Sequence, residues 1–258
     1  MAGYSRHPGK VGWVSDLRTV AVILAGGTGT RFGRSVPKQL VELAGTPIID
    51  HAIAAFQKAA EIDEILLLMA PGHLDRARER MAAGGYDKVV RILEGGSTRS
   101  ETTSIALDEL SDECHVLFHD AARPLVTGRI ISDVVEALAR FDAVTAAIPS
   151  SDTVFAVREE DEDTVISGVL QRPSLRRCQT PQGFRRSVLA SAYELAWQDP
   201  DFVATDDCSV VATYRPDVPV AVVRGDERNL KITEPIDLRI AERLIELAEQ
   251  ATSAALDS

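Results

Sequence analysis

Thr19-Val20-Ala21-Val22-Ile23-Leu24 leads straight into Ala25-Gly26-Gly27-Thr28-Gly29-Thr30-Arg31-Phe32-Gly33-Arg34-Ser35-Val36-Pro37-Lys38-Gln39. The first residues are apolar and rich in β-branching, which predicts a buried strand over 19–25. Gly26, Gly27 and Gly29 then free the backbone to fold around a ligand and let main-chain N–H groups approach it closely. Arg31 and Lys38 add two cations to the same loop. N–H donors combined with a guanidinium and an ammonium suit a polyphosphate.

Two familiar phosphate loops are excluded by register. The dinucleotide fingerprint needs G-x-G-x-x-G, and Phe32 stands where the third glycine belongs. The Walker loop needs a lysine followed by Ser or Thr, whereas Gln39 follows Lys38. The remaining pattern, A-G-G-x-G-x-R followed by Pro37-Lys38-Gln39, resembles the signature of sugar-nucleotide pyrophosphorylases and related nucleotidyltransferases. The plain alternative is a glycine-rich surface loop with incidental charges.

At 258 residues the chain suits one α/β domain with an appendage. Its hydrophobic share of 45% and charged share of 26% describe a globular protein. A net charge of −11 disfavours a nucleic-acid or anionic-membrane surface, so an anionic ligand needs a local cationic pocket. Cys114, Cys178 and Cys208 are odd in number and lack CxxC spacing, which argues against a disulfide framework or a zinc site and fits a reduced cytoplasm. Residues 1–18 lack the apolar core of a signal peptide, and no apolar run approaches membrane-spanning length. Only five of the 28 basic residues are lysine, and Asn229 is the sole asparagine. Against that bias, Lys38 in the glycine loop and Lys231 in Asn229-Leu230-Lys231-Ile232-Thr233 draw notice.

Strand-like runs at 19–25, 63–70, 88–93, 114–119 and 142–148 alternate with helical patterns at 46–60, 72–83, 100–110, 127–140, 185–198 and 234–250. The alternation predicts a Rossmann-like, mainly parallel sheet flanked by helices. The domain spans 19–246, and tails 1–17 and 252–258 are expected to be disordered. Ligands on such sheets bind at the carboxyl ends of the strands. The glycine loop, Glu94-Gly95-Gly96-Ser97 and His119-Asp120-Ala121-Ala122-Arg123-Pro124 all follow strands and therefore share one rim. Residues 150–178 break the rhythm: Thr153 to Val157 and Thr164 to Ile166 flank an acidic tip and read as a projecting β-hairpin. Two-stranded units are marginal alone, so the arm is expected to pack on a second copy and make a homodimer. A flexible surface excursion is the alternative.

Asp120 at a strand end can hold Mg2+ through oxygen, and Arg123 can pair with a phosphate. The plain alternative for Asp120 is a helix N-cap or a loop salt bridge. Gln179-Thr180-Pro181-Gln182-Gly183-Phe184 and Thr205-Asp206-Asp207-Cys208-Ser209 read as loop-to-helix segments, with Thr205 and Asp206 as possible caps.

Taken in order, these segments resemble the 2-C-methyl-D-erythritol 4-phosphate cytidylyltransferase family, with ribitol-5-phosphate cytidylyltransferase as a near relative. The resemblance runs over residues 19–246 through the glycine loop, Gly95-Gly96-x-x-Arg99, His119 to Pro124, Ser151-Asp152-Thr153, Gln179 to Gln182, Thr205-Asp206-Asp207 and Asn229 to Thr233. It implies a nucleotidyltransferase fold with a hairpin dimerisation arm, and a reaction of CTP with a polyol phosphate. It further implies that Ala25, Gly26, Gly27, Gly29, Arg31 and Lys38 hold the triphosphate, and that Gly95, Gly96, Thr102 and Ala121 meet the nucleoside. Thr102 stands where the family commonly has serine. Asp120, Arg123, Thr153, Thr180 and Lys231 would meet the polyol phosphate or Mg2+, with Asp120 the metal ligand. Arg172 would be donated to the neighbouring subunit. Arg31, Lys38, Asp120 and Lys231 would carry the chemistry, and no covalent enzyme intermediate is expected.

Overall fold

The computed structural model describes residues 4–5, 14–15, 17–26 and 37–256. Gly27, Gly29 and Arg31 lie outside the described residues.

The apolar run at the start of the domain forms β1 (Thr19–Ala25), and its alternation divides the core. Ala21, Ile23 and Ala25 face one hydrophobic layer, while Val20 and Val22 face the other. The next strand, β2 (Glu64–Met69), splits in the same way, with Ile65, Leu67 and Met69 on one side and Leu66 and Leu68 on the other. Helices α1 (Ile48–Lys58), α2 (Leu74–Gly84) and α4 (Gly128–Leu138) cover the first face. Helices α3 (Arg99–Glu109), α5 (Arg186–Ala196) and α6 (Asp207–Tyr214) cover the second. The result is a three-layer α/β/α sandwich.

The remaining core strands are β3 (Val89–Glu94), β4 (His115–Asp120), β5 (Ala143–Pro149), β8 (Arg176–Arg185) and β9 (Val220–Arg224), and the hydrogen-bonded order is β9-β5-β8-β4-β1-β2-β3. All neighbours are parallel except β8, which runs antiparallel to both β4 and β5. The expected strands and helices are present, with ends shifted by one or two residues. The final helix, α7 (Pro235–Leu256), is the exception: it runs into the stretch 252–258 that was expected to be a disordered tail.

Two strands differ from the expected pattern. Residues 176–185 contain Pro181 and Gly183, both poor strand residues, and they read as a loop. In the fold Gly183 has a steric reason: a Cβ there would lie 2.7 Å from Val134 Cγ1 and 2.9 Å from Leu138 Cδ1 of α4. Pro181 follows a cis peptide at Thr180, where the pairing with β5 breaks between Cys178 and Gln182. The other missed strand, β9, is short and pairs only with β5 at the sheet edge.

The hairpin is formed by β6 (Phe155–Glu160) and β7 (Asp163–Val169), which pair only with each other. Phe155 opposes Val169 and Val157 opposes Ile166. These four residues form an apolar surface in which each is about half exposed or more (48–60%). No helix among the described residues is long and apolar enough to cross a membrane.

Candidate active site

The carboxyl ends of β1, β3 and β4 deliver Gly26, Gly96 and Asp120 to one rim of the sheet. There they line a cleft of about 190 Å3 together with Lys38, Gln39, Arg99, Thr102 and Lys231. Contacts between segments distant in sequence hold several of the lining residues in place. Gln39 is buried and donates to the Ala25 carbonyl at 2.7 Å, which ties the far end of the glycine loop back to β1. Lys38, in the same single turn of 3-10 helix, donates to the Ile232 carbonyl at 2.9 Å.

At β3 the chain turns into α3 through Glu94-Gly95-Gly96-Ser97. Thr98 caps the helix and Glu101 returns the bond, a reciprocal capping box. Thr102 Oγ1 accepts from the Gly96 N–H at 3.1 Å and donates to the Thr98 carbonyl at 2.8 Å. The close approach of β1 leaves little room for a side chain here: a Cβ on Gly95 would lie 3.4 Å from Gly26 Cα and 3.2 Å from Thr102 Oγ1. The Thr102 hydroxyl thus shapes the Gly95–Gly96 turn.

Asp120 ends β4 and gathers cations. Lys231 Nζ lies 2.7 Å from its Oδ2, Arg99 Nε 3.8 Å from its Oδ1 and Arg123 Nε 4.0 Å from its Oδ2. Burial alone would raise the Asp120 pKa. The charges of Lys231, Arg99 and Arg123 outweigh it and hold the carboxyl well below the usual carboxylate range. Its N–H donates to Thr180 Oγ1 at 3.1 Å, and that hydroxyl also meets His119 Nδ1 at 3.0 Å. Burial pushes His119 down to about 4, so the ring is neutral at physiological pH. It packs on Phe56 with ring centroids 5.0 Å apart. Antiparallel β8 is what brings Thr180 to Asp120, since its amino end enters at the rim where the parallel strands finish.

The segment after β9 crosses the same rim. Asn229 is fully buried and donates to the Thr180 carbonyl at 2.9 Å, while its own carbonyl accepts from Arg123 Nη1 at 2.8 Å. The Ile232 N–H donates to the Ala122 carbonyl at 2.8 Å, which fixes the neighbouring Lys231 beside Asp120.

Most of the expected site residues therefore converge on one rim, from Gly26 and Lys38 to Lys231. Ala25 and Ala121 are fully buried in the core layer and outside the cleft lining: the Ala25 carbonyl accepts from Gln39 and from the Ala70 N–H, and the Ala121 N–H donates to the Leu24 carbonyl. Thr153 and Arg172 lie exposed on the arm segment and outside the cleft lining; Arg172 Nη1 reaches the Ser151 carbonyl at 3.4 Å. Sequence reading assigned no role to Gln39, Arg99, Asp207 or Asn229, although each belongs to a quoted motif. Only the tertiary contacts separate their work from that of their neighbours.

Among the described residues no group of three or more His, Cys, Asp and Glu could hold a metal. A protein cage is not required for Mg2+, which binds through one or two carboxylates plus substrate phosphates. Asp120 fits that use: Lys231 holds Oδ2, and Oδ1 stands beyond hydrogen-bond length from Arg99.

A mostly parallel sheet with a glycine-turned, cation-lined cleft at its carboxyl rim fits a nucleotidyltransferase. The family model for 2-C-methyl-D-erythritol 4-phosphate cytidylyltransferase matches residues 19–247. The Thermobifida fusca protein of that name is 48% identical over 232 residues, covering 88% of this chain and 93% of the relative. A Haemophilus influenzae bifunctional ribulose 5-phosphate reductase/CDP-ribitol pyrophosphorylase is 36% identical, and the match covers 89% of this chain but 48% of that longer protein. The crystal structure of 4-diphosphocytidyl-2C-methyl-D-erythritol synthase from Anaerococcus prevotii superposes with a TM-score of 0.79 at 27% identity, covering 89% of this chain and 96% of that one. The chain belongs to the 2-C-methyl-D-erythritol 4-phosphate cytidylyltransferase family, whose members are CTP-dependent cytidylyltransferases.

Proposed function

We propose that this enzyme joins CTP to 2-C-methyl-D-erythritol 4-phosphate, giving the CDP-methylerythritol and pyrophosphate of the non-mevalonate isoprenoid pathway. The observation that carries the reading is the meeting of two lysines distant in sequence. Lys38 bonds the Ile232 carbonyl, and Lys231, the preceding residue, pairs with Asp120. One cleft thereby receives an ammonium from the glycine-loop side and another from the opposite wall.

An acceptor phosphate oxygen attacks the α-phosphorus of CTP in line, the bond to the bridging oxygen breaks, and pyrophosphate leaves with the electron pair. The protein's contribution is position and charge. Arg31 and Lys38 neutralise charge on the α-phosphoryl oxygens and the leaving group. Gly26, Gly27 and Gly29 cradle the triphosphate and Gly95, Gly96 and Thr102 meet the nucleoside, with Ala25 and Ala121 supporting these turns from the core layer. Arg123, Thr180 and Lys231 hold the acceptor phosphate. Asp120 would hold Mg2+, which supplies charge neutralisation at the phosphates when bound.

The enzyme works as a homodimer in which β6 and β7 cover their exposed apolar pairs against a second copy, and Arg172 reaches the neighbouring site. A cytoplasmic location accords with three free thiols.

Pyrophosphate release measured with CTP and each candidate acceptor tests the reading. Turnover is expected with methylerythritol phosphate, with a far lower specificity constant for UTP, whose reversed donor pattern leaves buried polar groups unpaired. A preference for ribitol 5-phosphate would move the enzyme to the second acceptor, and comparable values for CTP and UTP would remove the cytidylyl reading.

A further inference from the structure

Asp207, the first residue of α6, is fully buried (0% exposed) and receives three donors from two other helices. Its Oδ1 accepts from Tyr193 Oη of α5 at 2.7 Å and from Thr103 Oγ1 of α3 at 2.9 Å. Its Oδ2 pairs with Arg99 Nη1 at 2.7 Å. Capping does not explain this arrangement, because the preceding Asp206 already caps α6 by accepting from the Ser209 N–H at 2.8 Å.

A buried ion pair is weak evidence for stability, since desolvation offsets much of its attraction. What the contacts do achieve is to fix a planar, forked cation. Two of the three guanidinium nitrogens of Arg99 face carboxylates: Nη1 meets Asp207, and Nε stands 3.8 Å from Asp120 Oδ1. The third, Nη2, is buried and has no hydrogen-bond partner among the described residues. A charged donor withdrawn from water and left unpaired is unfavourable, so an acceptor has to come from elsewhere. Arg99 lines the cleft, in the same helical turn as Thr102 and directly after the Gly95-Gly96 turn.

We infer that Asp207 is a positioning residue that holds Arg99 against the nucleotide end of the cleft, where the Arg99 guanidinium takes an oxygen of the CTP phosphate chain. This rests on the cleft being the CTP site. Tyr193 and Thr103 hold the carboxylate, the carboxylate holds the guanidinium, and the guanidinium meets the substrate. Burial keeps the Tyr193 phenol well above its usual pKa, so it remains a donor to Asp207.

Steady-state kinetics and calorimetric CTP binding on wild type, Asp207→Asn, Tyr193→Phe, Arg99→Met, Arg99→Lys and the Asp207→Asn/Arg99→Met double variant test the inference. Asp207→Asn and Arg99→Met are each expected to raise KM and Kd for CTP about ten- to a hundredfold, the range for losing a hydrogen bond to a charged group. The KM for the acceptor should hold. Tyr193→Phe should move the CTP constants in the same direction by less, and Arg99→Lys should recover little, because a point charge lacks the fork. The double variant should be no worse than Arg99→Met, since the two residues act in series. Additive losses, or a drop in thermal stability with unchanged CTP constants, would overturn the positioning role. If Asp207→Asn fails to fold, a wild-type Kd for CTP in Arg99→Met overturns the inference by itself. A wild-type protein that transfers no cytidylyl group would instead remove the functional reading beneath it.

Discussion

At the scale of single residues, the site is an exercise in placing cations around one carboxylate. Lys231, Arg99 and Arg123 surround Asp120, and Lys38 approaches from the glycine-loop side. With charge growing on the leaving group, loss of Lys38 should be felt in turnover. Lys38→Ala is expected to lower kcat by about a hundredfold or more, as loss of a preorganised transition-state contact does, with the far-ultraviolet circular dichroism unchanged. Arg31→Lys should fail as well, because the guanidinium fork is lost; near-wild-type turnover in either variant would take that residue out of the chemistry. His119 carries a different expectation. Burial lowers its pKa to about 4 from 6.5, so between those values the unfolded chain binds a proton that the folded chain refuses. Its contribution to stability is complete above pH 6.5 and is lost as pH falls toward 4. His115, also buried and lowered to about 4, acts in the same window. Urea midpoints measured from pH 7 to 4.5 should fall, and His119→Gln should flatten the fall by about 1.4 kcal/mol per pH unit, the slope of one proton. An unchanged slope in that variant would assign the effect to other groups.

At the scale of elements, the decisive piece is β8, an antiparallel strand inserted between two parallel ones. It reverses the usual rule that the rim receives only carboxyl ends, and so it can present Thr180 to the Asp120 N–H. Close packing of α4 on this strand depends on Gly183. A methyl group there meets Val134 and Leu138 at under 3 Å, so Gly183→Ala is expected to destabilise by about 1–3 kcal/mol through overpacking. Equilibrium unfolding in urea measures it, and a stability equal to wild type would mean that α4 shifts freely. Helix α3 makes the opposite point. Its capping box is made by two residues three apart, Thr98 and Glu101, and it starts the helix directly after the Gly95-Gly96 turn.

At the scale of the whole molecule, β6 and β7 leave four apolar side chains half exposed on a two-stranded unit with no support from the main sheet. Such units gain stability by packing against something else, and the proposed dimer supplies it. If Arg172 serves the neighbouring site, mixing Arg172→Ala subunits with Lys38→Ala subunits should restore activity in hybrid dimers, because one of the two sites then carries both intact residues. A monomer by light scattering, or no recovery after subunit exchange, would refute the shared site.

Much of this protein was legible in the chain. Continuous apolar runs such as 19–25 and 64–69 can be satisfied only by burial on both faces, so the layered fold follows from local pattern. Asp120 and Lys231 were legible because their residue types are chemically costly or unusual where they stand. Tertiary structure alone decided the rest. Residues 176–185 carry a proline and a glycine that contradict a strand locally, and long-range pairing with β4 and β5 overrides them. Asp207 and Asn229 look like any polar residues in a loop, yet both are fully buried. Their roles come from partners between 14 and 108 positions away: Asp207 meets Tyr193, Thr103 and Arg99, while Asn229 meets Thr180 and Arg123. Periodicity and spacing report which face of an element is wet. They carry no information on which distant side chain will meet a buried charge, because that is set by how the layers stack.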